Sequence, residues 1–185
     1  MTISSDLDRR FRDAAATLDL VDIGFDLVDS PVGPLLVAAS KEGLASISFD
    51  PRPEEHLERL ARIAGPRVLR SPRSVDEARH ELDQYFDGRR RAFDLTLDLR
   101  GLPAFTLSVL NELARVPYGE TTTYGALAAK VGSPRASRAV GTVMNRNRIP
   151  IVFPCHRVVG ASGALVGYAG GLERKTALLE LESSH

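Results

Sequence analysis

One cysteine stands in the whole chain, and its neighbours make it a candidate nucleophile. It lies in the stretch Ile149-Pro150-Ile151-Val152-Phe153-Pro154-Cys155-His156-Arg157-Val158-Val159-Gly160. The apolar residues broken by Pro150 and closed by Pro154 read as a short buried strand, halted just before a thiol, a histidine and an arginine. Cysteine attacks as the thiolate, so a reactive site needs a base or positive potential to lower the thiol pKa from about 8.5. His156 offers the base and Arg157 the potential. The plainer alternative is a small buried hydrophobe beside a satisfied polar neighbour, which adjacency alone does not exclude.

The elements around this stretch are helical. From Ala104 onward, Phe105, Val109, Leu110, Leu113 and Val116 fall on one helical face. Thr121-Thr122-Thr123 supplies a cap for a helix over 124–131, Gly132-Ser133-Pro134 makes a turn, and a second helix is predicted over 134–145. Helix, glycine-containing turn and helix is the helix-turn-helix pattern, with a plain helical hairpin as the alternative. The second helix is slim at Ala136, Ser137, Ala139 and Gly141, and it carries Arg135 and Arg138. From Arg115 to Arg157 there are seven basic residues and one acid, Glu120, which suits a polyanion-facing surface. The formal net charge of zero hides this asymmetry: residues 1–100 sum to −4 and residues 101–185 to +4. A last helix is predicted over 173–182.

Several motifs stand in register across this half: Val116-Pro117-Tyr118-Gly119-Glu120-Thr121, Tyr124-Gly125, Ala136-Ser137-Arg138-Ala139-Val140-Gly141, Asn147, Pro154-Cys155-His156-Arg157-Val158 and Gly167-Tyr168-Ala169-Gly170-Gly171-Leu172. In order and spacing the chain resembles the alkylguanine-DNA alkyltransferases, suicidal repair proteins that take alkyl groups from the six-position oxygen of guanine. The resemblance implies a single-turnover methylated-DNA-protein-cysteine S-methyltransferase with Cys155 as acceptor, His156 as its base and Glu182 holding the imidazole. It implies that Tyr124 rotates the nucleotide and protonates the leaving guanine. Arg138 would replace the flipped base, on a minor-groove helix whose DNA contacts include Arg135, Ala136, Ser137, Ala139 and Gly141. The carbonyls of Cys155 and Val158 would accept from the guanine amino group. Tyr168, Ala169 and Gly170 would cover the alkyl group, and Asn147 would brace the site. The chain departs from the family at Thr106 and Leu110, where Gln and Trp are usual, and at Ala169, where serine is common. A non-catalytic protein that binds flipped lesions is the alternative, and such relatives lack the cysteine. A turnover cysteine hydrolase is a third reading, opposed by the divergence of neighbouring side chains on a strand.

Ahead of this half, Leu7, Phe11, Ala14 and Leu18 suggest an amphipathic helix over 3–18. Strand-like runs at 24–28, 35–39 and 44–49 suggest an antiparallel meander, followed by helical patterns at 54–64 and 75–86 and an alternating extended run at 93–97. The expected architecture is α+β, with an N-terminal extension over 1–20, a sheet-and-helix scaffold over 21–98, and a mainly helical domain over 99–185; the resemblance implies a ribonuclease-H-like shape for the first domain and a winged-helix-like one for the second. With 43% hydrophobic and 26% charged residues the composition is that of a globular protein. One cysteine and four scattered histidines lead us to expect no disulfide, metal or cofactor. The absence of a long apolar run and of a signal-peptide core leads us to expect no membrane contact and a cytoplasmic location. The expected partner is double-stranded DNA containing alkylated guanine, met by a protein that is a monomer in solution, with cooperative assembly on DNA left open.

Overall fold

The structure is a computed structural model that describes residues 14, 20–49 and 53–184. Apart from Ala14, the helix expected over 3–18 lies outside the described residues. The chain divides into two compact units that interleave in sequence: one runs through Asp83 and takes back Asp94–Arg100, and the other holds Gln84–Phe93 and everything from Gly101 onward.

The first unit is built on β1 (Ile23–Val28), β2 (Leu35–Ser40), β3 (Gly43–Ser48) and β4 (Val68–Arg70), in the order β3-β2-β1-β4. The first three form the expected antiparallel meander. β4 runs parallel to β1, because α1 (Pro53–Ala64) carries the chain from β3 to the opposite edge. Three residues are too short a run to announce a strand, so β4 was not legible in sequence. Ile23, Ala38, Ala45 and Leu60 form a core cluster against which Phe25, Leu57, Ala64 and Val68 pack. β2 is central, and Leu35, Leu36, Val37 and Ala38 are all buried, so this strand has no solvent face.

The run at 93–97 does not form the strand its alternation suggested. It makes one bridge, between Leu97 and Leu44, flanked by Leu44 N–H donating to the Thr96 carbonyl at 2.8 Å and Asp98 N–H donating to the Leu44 carbonyl at 2.9 Å. This contact covers the β3 edge, which would otherwise offer unpaired backbone groups. Gly43 is required there: its φ is 125°, and a Cβ would collide with the Thr96 carbonyl.

The second unit contains α3 (Ala104–Ala114), α4 (Tyr124–Lys130), α5 (Ser137–Asn145) and α6 (Leu172–Ser183). A minimal parallel pair, β5 (Thr122–Thr123) and β6 (Val158–Val159), matches Thr122 to Val158 and Thr123 to Val159. The last turn of α2 (Asp76–Phe86) also belongs to this unit. Val109, Leu110, Leu113 and Val116 are buried as their helical spacing predicted, and Leu127, Val140, Ile149, Ile151 and Leu178 complete the core. α5 begins at Ser137 rather than 134, since Ala136 N–H donates to the Ser133 carbonyl at 2.8 Å and keeps 133–136 as a separate turn.

Asp98 generates a pH prediction for the first unit. Its carboxylate is buried and accepts from Ser40 Oγ at 2.6 Å and Arg100 Nε at 2.8 Å. The Arg100 hydrogen bonds outweigh burial and, with Ser40, hold its pKa at about 2 against an ordinary 3.8. A depressed carboxylate stabilises the fold above its unfolded pKa and loses that contribution as pH falls through the folded value. Urea unfolding should therefore show the largest stability gap between wild type and Asp98→Asn above pH 4, shrinking steadily as pH approaches 2.

Candidate active site

Local hydrogen bonds, rather than a strand, present Cys155. Residues 149–153 fold into a tight turn: Phe153 N–H donates to the Ile149 carbonyl at 2.9 Å, a Pro150–Phe153 bridge closes the turn, and Ile151 takes φ 75°. A β-branched residue in that region is strained by about 1–3 kcal/mol, so the surroundings must enforce it. Asn147 does much of this. Its Oδ1 accepts from Ile149 N–H at 3.0 Å and its Nδ2 donates to the Phe153 carbonyl at 2.9 Å. The same Nδ2 lies 3.2 Å from the Cys155 sulfur, so the residue expected only to brace the site also touches the thiol. Cys155, His156 and Arg157 then form one 3-10 turn, all buried.

At the other end of the site lies the Glu182 carboxylate, fully buried. It accepts from His156 Nε2 at 2.9 Å, Arg157 Nε at 2.9 Å, Arg157 Nη2 at 2.8 Å, Tyr85 Oη at 2.7 Å and Gly119 N–H at 3.2 Å. Burial alone would raise its pKa, but the hydrogen bonds from His156 and Arg157 outweigh it and hold Glu182 well below the carboxylate range. Gly119 approaches closely with φ 77°, and a Cβ there would lie 3.1 Å from the Glu182 carbonyl. Tyr85 comes from the last turn of α2 and stays protonated, its pKa raised by burial and by the Glu182 charge.

These contacts settle two proton positions. A carboxylate only accepts, so His156 carries its proton on Nε2 and presents Nδ1 as a lone pair. Nδ1 is buried and has no hydrogen-bond partner among the described residues. Burial lowers the His156 pKa despite the Glu182 bond, so the ring is neutral near pH 7. Arg157 does not serve the thiol as its sequence position suggested. Its guanidinium is committed to Glu182 and, through Nη1, to the Val116 carbonyl at 2.6 Å. Burial raises the Cys155 pKa, opposed by the Asn147 hydrogen bond and by contributions from Lys175 and the Tyr168 hydroxyl. The resting group is thus a thiol.

Tyr124 opens α4 immediately after the β5–β6 pair, with Thr123 Oγ1 capping that helix by accepting from Ala126 N–H at 3.1 Å. Its hydroxyl pKa is raised by burial and then by the Cys155 charge, which keeps it a proton donor. Gly141 of α5 lies against the Tyr124 ring. On α5, Val140, Val143 and Met144 turn inward, while Arg135, Ser137, Arg138 and Ala139 are exposed and Ala136 and Gly141 half-buried. Tyr168 is half-buried in contact with the sulfur, Ala169 is exposed, Gly170 is buried, and Val158 is buried with its carbonyl bonded to Lys175 Nζ at 2.7 Å.

Sequence reasoning missed Tyr85 and Lys175. Tyr85 lies far from the motifs and carried no signal. Lys175 did carry one: with Leu178 and Glu182 it repeats at three and four residues, so two charges occupy the face where a helix buries apolar side chains.

A helix-turn-helix bearing small and basic side chains, in one unit with a buried thiol and a neutral histidine, places this half among DNA-binding proteins that carry their own nucleophile. Comparison with known proteins narrows the class. Residues 104–184 match the DNA-binding domain, and residues 23–99 the ribonuclease-like domain, of 6-O-methylguanine DNA methyltransferase. A methylated-DNA–protein-cysteine methyltransferase of Methanosarcina acetivorans is 42% identical over 167 residues, covering 86% of this chain and 98% of the relative. The crystal structure of Mycobacterium tuberculosis O6-methylguanine methyltransferase superposes with TM-score 0.76 at 40% identity, covering 88% of this chain and 93% of that one. A structure of the M. tuberculosis protein in complex with DNA matches with TM-score 0.75 at 40% identity, covering 87% and 93%. The chain belongs to the 6-O-methylguanine DNA methyltransferase family.

The five donors on Glu182 predict unequal losses. Glu182→Gln leaves the Arg157 charge buried without its partner and should cost about 3 kcal/mol or more in urea unfolding. Tyr85→Phe removes one neutral donor and should cost only about 1–2 kcal/mol.

Proposed function

We propose that the protein repairs DNA directly, transferring the alkyl group of O6-alkylguanine to Cys155 once, irreversibly, on a flipped base. The observation that carries this reading is the Cys155 thiol, hydrogen-bonded by Asn147, in a turn shared with a neutral His156 fixed by Glu182. An alkylated oxygen inside a duplex is out of reach, so the nucleotide must leave the stack. Arg138, exposed on α5, fills the gap, and the small residues Ala136, Ser137, Ala139 and Gly141 let the helix enter the minor groove, with Arg135 on phosphate.

The thiol proton passes through water to His156 Nδ1, and Glu182 stabilises the resulting imidazolium. The thiolate attacks the alkyl carbon, the sulfur–carbon bond forms, and the carbon–oxygen bond to guanine breaks. Tyr124 protonates the departing guanine, and the tyrosinate regains a proton, net, from the His156 imidazolium through solvent, so that one proton leaves Cys155 and one reaches guanine. The carbonyls of Cys155 and Val158 accept from the guanine amino group, and Tyr168, Ala169 and Gly170 close over the alkyl group. A thioether is a poor leaving group, which makes the step stoichiometric.

Intact-protein mass after mixing with duplex bearing O6-methylguanine should show one methyl group per chain, lost in Cys155→Ser. Binding without any mass gain would favour a flipped-lesion reader instead. Arg138→Ala should slow transfer from duplex by roughly a hundredfold, the kinetic equivalent of about 2.7 kcal/mol and so of a flipping cost of a few kcal/mol, while leaving reaction with a free alkylguanine base nearly unchanged. Equal slowing of both would remove Arg138 from the finger role. Duplex affinity should fall steeply with added salt and depend weakly on sequence, as measured by anisotropy titration.

A further inference from the structure

We propose that Lys175 is the fixed positive charge that sustains the Cys155 thiolate during attack. The inference rests on the alkyl-transfer reading above, and it assigns a group that the mechanism leaves unused. Lys175 is fully buried on α6, which packs against the Cys155–Arg157 turn. Its Nζ donates to two backbone carbonyls, Val158 at 2.7 Å and Val166 at 2.8 Å. Among the described residues no carboxylate lies within ion-pair distance of it, and the one buried beside the site, Glu182, is taken by Arg157 and His156.

A buried ammonium with only neutral acceptors is costly unless a negative charge arrives. The Cys155 thiolate is that charge. The two groups are coupled: burial pulls the Lys175 pKa down while Cys155 pushes it up, and Lys175 in turn lowers that of Cys155. Before reaction the buried site holds Glu182 negative, Arg157 and Lys175 positive, and His156 and Cys155 neutral, so one positive charge is uncompensated. When the thiol proton moves to His156, the new thiolate finds an ammonium already held in place by Val158, three residues along its own segment. Such preorganised charge stabilises the attacking state without rearrangement. Lys175 donates no proton in this step; it is a positioning charge acting through the sulfur.

The titratable and charged groups packed around the pair are His156 and Arg157 from the same turn, Tyr124 from α4, Tyr168 and Arg174 near the covering loop, and Glu182 from the end of α6. Because the chain has a single cysteine, alkylation by iodoacetamide followed by intact mass reports Cys155 alone. Lys175→Gln keeps an amide donor, one atom shorter, and removes the charge; Lys175→Met removes both donor and charge. In folded variants that still bind duplex, the midpoint of the alkylation rate against pH should rise by about one unit or more in both, the size expected for loss of a neighbouring opposite charge. An unchanged midpoint in folded Lys175→Gln overturns the proposal and leaves Lys175 as a tether for the Val166 loop. If neither variant folds, the comparison is made by NMR titration of the Lys175 side chain in wild type and Cys155→Ser. A lower midpoint in Cys155→Ser supports the pairing, and identical midpoints overturn it. Failure of the alkyl-transfer reading would appear separately, as absence of methyl uptake from duplex by the wild-type protein.

Discussion

One buried carboxylate organises the catalytic half of the molecule. Glu182 gathers five hydrogen-bond donors from the last turn of α2, the turn at Gly119, the Cys155–Arg157 turn and thus α6 itself. A charge so far from water survives only if its lone pairs are used, and removing the carboxylate leaves its partners buried and unsatisfied. The geometry of the site is therefore specified collectively. Gly119 suits glycine because its φ is 77° and a Cβ would lie 3.1 Å from the Glu182 carbonyl, Arg157 must be an arginine because only a planar fork spans both carboxylate oxygens and the Val116 carbonyl, and His156 must sit in one tautomer.

The consequence for chemistry is a division of labour different from the one that side-by-side residues suggest. Arg157 is bonded to Glu182 and the Val116 carbonyl rather than to the sulfur, while the neutral His156 leaves Nδ1 as an open lone pair. Cys155 rests as a thiol because burial raises its pKa, which protects the sulfur from adventitious oxidation and alkylation. Its activation is left to groups that act together at the moment of transfer. The strain at Ile151 belongs to the same design: the turn that aims the sulfur is held by Asn147, which also hydrogen-bonds the sulfur, so the orientation and the environment of the thiol come from one side chain.

The surface of α5, which we propose meets DNA, follows a different principle. On α5 the large apolar side chains Val140, Val143 and Met144 are spent on the core, leaving small residues and Arg138 outward. A surface of that kind approaches a backbone closely and reads few base edges, which suits a protein that must inspect any sequence. The helix pair is short, and its rigidity derives from burial of Leu127, Ala128 and Val140 and from the Thr123 cap.

Residue type and spacing alone determined much of this protein. The strand-like runs between turn signals marked β1 to β3, the helical spacing marked α1, α2 and α3, and the order of motifs around Cys155 identified the family to which the chain belongs. These features are local, or linear in sequence, and need no knowledge of contacts. Only the tertiary structure decided the rest. β4 is too short to signal itself and exists because β1 offers an edge. Residues 149–153 form a turn rather than a strand because Asn147 and the Ile149 carbonyl satisfy the backbone across it. The partners of Glu182, including Tyr85 at a separation of 97 residues, and the burial of Lys175 among carbonyls depend on which charges meet inside the fold. A carboxylate, an arginine and a lysine look alike in sequence whether solvated or buried. Their pKa values, and hence their chemistry, are set by the neighbours that folding brings to them.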